Sequence, residues 1–112
     1  MTEYTEDDFK ELIDELNSKR FYSIGHDEVA EACVELANEY VKYTGAGDSS
    51  IKAAALYAAC RLQHVHGRRK DIADMCGVST ATISRNWRQM VEVAVRKDSE
   101  IDMDSERLLE II

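Results

Sequence analysis

The sequence predicts an all-α domain carrying a helix-turn-helix in its second half, on three observations. Proline is absent and glycine occurs five times in 112 residues, so long helices meet few breakers. Ala, Leu, Glu, Asp, Lys and Arg dominate the composition, which leaves strands little β-branched or aromatic material. Apolar residues recur at steps of three and four through most of the chain. A length of 112 residues suits one modest core, so the chain reads as a single domain in four stretches. These are an N-terminal acidic helix (1–25), core helices (26–67), the helix-turn-helix (68–96) and an acidic tail (97–112).

The elements follow in order. Thr5 through Leu16 opens with a possible capping box, Thr5 to Asp8, and then sets Phe9, Leu12, Ile13 and Leu16 on one face. Ser23-Ile24-Gly25-His26 is a break, with His26 near the next helix start and without a partner legible in the sequence. Val29, Cys33, Leu36 and Tyr40, joined by Ala30, Ala37 and Val41, define a second helix. Thr44 to Ser50 is a flexible loop in which Ser49 or Ser50 is placed to cap a third helix, from about Ser50 to Val65. That helix carries Ile51, Ala54, Ala55, Ala58 and Leu62 on one side and further alanines around it, so it approaches its neighbours closely and belongs at the centre. A short helix, Arg69 to Cys76, a turn at Gly77-Val78-Ser79, and a longer helix to about Val95 follow. The buried stripe of that longer helix reads Ile83, Trp87, Met90, Val91 and Ala94. After five helices the tail offers Leu108, Leu109, Ile111 and Ile112 for a last half-helix that packs back on the core or forms an interface.

A net charge of −8 argues against nucleic acid unless the basic groups share one face. Residues 1–50 carry −9 and the tail from 98 carries −5, whereas 51–67 carry +2 and 68–97 carry +4. The positive charge therefore gathers in one interior stretch. An acidic body also suits a concentrated-salt cytoplasm, but six lysines and an ordinary apolar fraction weigh against that. Cys33, Cys60 and Cys76 are odd in number and form no Cys-x-x-Cys pair, which points to buried thiols in the reducing cytoplasm. No apolar run approaches a membrane span, and the acidic start lacks the basic region of a signal peptide.

The segment Asp71 to Arg85 has the spacing a helix-turn-helix requires. Ala73 is small where the second helix crosses it, Gly77 is able to take the left-handed conformation that turns the chain, and Ile83 plugs the angle between the helices. Ser79 caps the second helix. Facing away from the Ile83, Trp87, Met90 stripe are Thr80, Ala81, Ser84, Arg85 and Arg88, the set that would enter a major groove. Arg85 and Arg88 are the candidates for base edges, Thr80 and Ser84 for phosphate or a single base atom, and Arg68, Arg69, Lys70, Arg96 and Lys97 for phosphates.

Two further stretches carry a resemblance. Ser50-Ile-Lys-Ala-Ala-Ala-Leu-Tyr-Ala-Ala-Cys-Arg61, followed by the helix-turn-helix ending Thr82-Ile83-Ser-Arg-Asn-Trp87, resembles one cyclin-like repeat of the transcription factor B family. That family comprises archaeal transcription factor B and eukaryotic factor IIB. The likeness covers about residues 26 to 95. Trp87 sits at the family's aromatic position, four residues after the plugging Ile83, while Asn86 stands where simple repressors of the same motif keep an aliphatic residue. The resemblance implies a five-helix cyclin fold and readout of a promoter element beside the TATA box. It places the DNA-facing role on Ser79, Thr80, Ser84, Arg85 and Arg88, with double-stranded DNA and the TATA-binding protein as partners. The sequence departs from the family in lacking a zinc ribbon's Cys-x-x-Cys pair and in having room for one repeat, so polymerase recruitment through a ribbon is not expected of it. Arg68 stands where the family often has a capping threonine, which leaves Gly67 or water to satisfy the first N–H groups of the helix. Met1 and the self-contained helices favour a stand-alone relative over an excised fragment.

Other readings carry less. A cyclin-like docking module would take a partner helix between helices two, three and five and suit a basic partner. A homodimer through the tail would set two recognition helices one DNA turn apart. Cys60 and His64, at i and i+4 with His66 close by, have the spacing of a metal pair, but the plainer reading is a core cysteine and two histidines capping the third helix. Gly45-Ala-Gly47-Asp lacks the strand and lysine of a phosphate loop. No carboxylate pair stands apart, so neither an enzyme nor a cofactor is expected.

Overall fold

The computed structural model describes residues 4–19, 22–96 and 105–111, with Ser105 described in its backbone alone. Among the described residues the chain forms six helices and no strand: α1 (Glu6–Asn17), α2 (His26–Tyr40), α3 (Asp48–Leu62), α4 (Arg69–Cys76), α5 (Thr80–Ala94) and α6 (Ser105–Glu110). Lys97 and Ile112, both singled out from the sequence, lie outside the described residues.

α3 lies at the centre, packed against α2, α4 and α5. Ala53, Ala54, Ala55, Ala58 and Ala59 are buried on several sides of it, because methyl side chains let three helices approach at once without cost in side-chain entropy. Ile51, Leu56 and Leu62 supply the larger apolar groups. α2 presents Val29, Cys33, Leu36 and Tyr40, and α5 presents Ile83, Trp87, Met90, Val91 and Ala94, all buried as their spacing predicts. α1 closes one side with Phe9, Ile13 and Leu16. At its start the Asp8 carboxylate accepts the Thr5 backbone N–H at 2.9 Å in the expected capping box.

The third helix differs from expectation at both ends. It begins at Asp48, two residues early, with Gly47 as its N-cap and no side-chain cap. Ser49 and Ser50 therefore lie inside the first turn, where Asp48 faces the helix dipole and pairs with Lys52 at 3.2 Å. It stops at Leu62, short of Val65, because His64 turns left-handed with φ 54. The Val65 N–H then donates to the Cys60 carbonyl at 2.9 Å and the His64 N–H to the Arg61 carbonyl at 3.2 Å. This is the paired closure usually built on glycine. His26 also gains a partner: it starts α2 and its imidazole meets the Asp14 carboxylate on α1.

α6 packs against α5 and inserts Leu108 and Ile111 into the core. Burying one leucine fully is worth about 1.5–3 kcal/mol. Arg107 donates to the Leu62 carbonyl at 2.9 Å, so the tail satisfies an orphan acceptor at the end of α3. No helix of the described residues is long and apolar enough to cross a membrane.

Candidate nucleic-acid interface

α4 and α5 are joined by three residues, and each residue that sets their geometry is where the sequence pattern puts it. Gly77 follows α4 at φ 72, ψ 33, the left-handed region. The Val78 N–H closes back onto the Ala73 carbonyl at 3.0 Å. Ser79 is extended, and its Oγ accepts the Thr82 N–H at 3.1 Å, which starts α5. Ala73 and Ile83 are buried at the junction.

The outer face of α5 follows by periodicity. Ser79, Thr80, Ala81, Arg85 and Arg88 are exposed, while Ile83, Trp87 and Met90 turn inward. Arg85 has no hydrogen-bond or ion-pair partner among the described residues. The Arg88 guanidinium rests 5.6 Å from the Trp87 ring centre on its own helix. Ser84 is half-buried and its Oγ accepts from Arg69 Nη1 at 2.6 Å, which ties the outer face of α5 to the first turn of α4. Arg68, Arg69 and Lys70 are exposed at that same turn. Arg96 is exposed but drawn to another neighbour, its guanidinium 5.4 Å from the Tyr43 ring. The structure thus brings Arg68, Arg69, Lys70, Ser84 and the α5 arginines onto adjoining turns, with Arg96 beyond the far end of α5.

The start of α4 is a correction. Neither Gly67 nor any side chain of Arg68 caps it. Tyr22, from the α1–α2 connection, accepts the Arg68 N–H at 3.3 Å and donates its hydroxyl proton to the Asp71 carboxylate. Burial first, and the bond to Asp71 second, push the Tyr22 phenol above its ordinary pKa. His66 stacks on the same ring at 5.2 Å. Tyr22 is held there because Asn17 bonds both ways to Ile24, accepting its N–H at 2.7 Å and donating to its carbonyl at 2.8 Å. Gly67 serves a different end: a Cβ there would meet Cys60 Sγ at 3.0 Å, so its smallness lets the chain pass over α3.

Asn86 is a second residue whose partner lies far off in sequence. It is buried on α5, where its Oδ1 accepts from the Tyr40 hydroxyl at 2.7 Å and its Nδ2 donates to the Thr82 carbonyl at 2.8 Å. The Tyr40 hydroxyl also lies 2.9 Å from Gln89 Oε1. This polar link fixes the rotation of α5 about its axis, and so which residues it turns outward. An asparagine in an apolar stripe was the available signal; its partner was not readable.

The Cys60 and His64 pair does not form a site. Cys60 is buried in α3, whereas His64 lies past the helix end and is exposed. Burial pushes the Cys60 thiol up to about 12 and the Cys76 thiol up to about 11, so both stay protonated. No three His, Cys, Asp or Glu side chains among the described residues are grouped to hold a metal ion.

Compared with known protein families, residues 9–93 match the family described as the transcription factor TFIIB repeat.

Proposed function

The chain belongs to the transcription factor TFIIB repeat family, which gives it a role in transcription, and from that premise we propose that it reads duplex promoter DNA in a sequence-specific way through α5. In this reading Arg85 and Arg88 address base edges in the major groove. An arginine donates two hydrogen bonds to guanine O6 and N7, and such a pair discriminates by about 1–3 kcal/mol. Ser79, Thr80 and Ser84 take phosphate or single base atoms, while Arg68, Arg69 and Lys70 grip phosphates and set the register. The working unit is one domain, and the family makes the TATA-binding protein a fitting partner beside the duplex.

One observation carries the reading: α5 buries its Ile83, Trp87, Met90 face and leaves Thr80, Ala81, Arg85 and Arg88 outward, in a chain whose acidic excess lies in residues 1–50 and from 98 onward rather than in this stretch. Two features weigh against the alternatives. The Tyr40 to Asn86 bond draws α2 onto α5 where a docked partner helix would need room. Of the tail's apolar residues Leu108 and Ile111 are buried within the same chain and Leu109 alone of the described ones is exposed, which favours one protein per DNA site.

The test is selection of bound duplexes from a random pool, run beside the Arg85→Ala, Arg88→Ala double variant. The wild type is expected to enrich one sequence. The double variant should keep its helical circular dichroism and lose that preference. Equal enrichment by both would move readout away from α5.

A further inference from the structure

Beside α5 lies a cluster of three arginines, of which Arg61 had no role in the sequence pattern. The guanidinium of Arg61, on α3, sits 5.0 Å from the Trp87 ring centre and 5.9 Å from that of Tyr57. Arg69, on α4, sits 5.9 Å from Tyr57 on its way to Ser84. Arg88 sits 5.6 Å from Trp87. Tyr57 and Trp87 meet edge to face at 5.6 Å, so three helices converge on two rings with three cations around them. Among the described residues no carboxylate lies within ion-pair distance of any of the three. That is notable in a chain with 22 acidic residues and 14 Lys and Arg, because like charges held together without a counter-ion repel.

The rings explain why the arginines stay. An aromatic face attracts a cation through its quadrupole and orients a guanidinium without using its N–H donors. Arg61 gives one Nη to the Ile111 carbonyl at 3.2 Å, which leaves most of its five donors free. Among the described residues the cluster is therefore positive, preorganised and unneutralised, and it continues directly from the outer face of α5 through Ser84 and Arg88.

We propose that Arg61, backed by Tyr57 and Trp87 and flanked by Arg69 and Arg88, is a phosphate clamp for the DNA backbone that leaves the groove read by α5. This rests on the DNA-binding reading above and adds to it a contact from α3, outside the helix-turn-helix. A phosphodiester oxygen fits the chemistry because it accepts several N–H bonds and brings a negative charge to the three guanidinium groups. Such a clamp adds affinity and register but no sequence preference.

The test is duplex affinity as a function of salt for the wild type, Arg61→Gln and Arg61→Lys, with preference measured alongside. Gln keeps a donor for the Ile111 carbonyl but removes the charge, whereas Lys keeps the charge. Losing one phosphate contact lowers the log–log salt slope by about 0.9, so between 50 and 200 mM salt Arg61→Gln should lose about three- to fourfold less affinity than the wild type. Arg61→Lys should keep the wild-type slope, and neither variant should change the preferred sequence. An unchanged slope in Arg61→Gln, with steep wild-type binding, overturns the clamp and leaves α5 readout standing. A slope lost equally in Arg61→Lys also overturns it, assigning Arg61 to structure, as does a changed sequence preference. Absence of salt-dependent duplex binding by the wild type removes the underlying reading and the clamp together.

Discussion

α4 and α5 are neighbours in sequence and form one motif, yet their starts are set in opposite ways. α5 is begun by its own sequence: Ser79 sits next to the helix and accepts the Thr82 N–H. α4 is begun from a distance of 46 residues, by Tyr22 accepting the Arg68 N–H. The reason lies in Arg68, whose side chain has donors only and so has nothing to offer a free N–H group. Their preceding turns differ likewise. α4 ends on Gly77, which takes φ 72 without strain, whereas α3, before α4, ends on His64 at φ 54. One end of the motif is thus specified locally, and the other depends on α1 and its connection being in place. Displacing α1 should loosen α4 before α5.

Substitutions at four positions sharpen or break that contrast. Gly77→Val should have the largest effect, destabilising by about 2–3 kcal/mol, since a β-branched residue is strained at this φ. A Cβ at Gly77 would meet nothing within 4 Å, so the cost is conformational, and a milder loss in Gly77→Asn, read by thermal denaturation, would separate backbone strain from crowding.

Tyr22→Phe should cost about 1.5–2 kcal/mol, because it leaves the Asp71 carboxylate and the Arg68 N–H unpartnered. Hydrogen exchange should show the loss in the amides of α4 and spare those of α5. The contribution also depends on pH. The folded Tyr22 pKa is raised above its ordinary 10.0, so its stabilisation is complete below that value and falls as pH rises through the folded pKa. The gap between wild type and Tyr22→Phe is therefore flat through neutral pH and narrows in strong alkali; a gap that widens there would contradict the bond to Asp71.

Ser79→Ala should cost about 1 kcal/mol, the usual loss of an N-cap, with exchange increased at the start of α5 alone. If it loosens α4 as much as Tyr22→Phe does, the two starts are not independent. His64→Gly should have the smallest effect and the opposite sign, stabilising by about 0.5 kcal/mol, since relief of the left-handed strain is partly offset by greater freedom in the unfolded chain. A destabilisation in urea melts would mean that the imidazole makes a contact worth more than that strain.

Features that depend on neighbours in sequence were legible before any coordinates: the burial stripes of α2, α3 and α5, the extent of α4, the Gly77 turn, the Ser79 cap and the outward Thr80, Ala81, Arg85 and Arg88, whereas Ser84, expected among them, is half-buried and bonded to Arg69. They follow from a 3.6-residue period and from backbone geometry, which act over a few residues and need no partner. Tyr22 on Asp71, Asn17 on Ile24, Tyr40 on Asn86 and Arg61 on Trp87 were not legible. Each is a contact between side chains on separate elements, and its existence rests on how closely those elements pack and at what rotation. The alanine surface of α3 announces close packing but leaves the angle open. The His64 end of α3 belongs with them, since a histidine turns left-handed only where the surrounding packing holds it there.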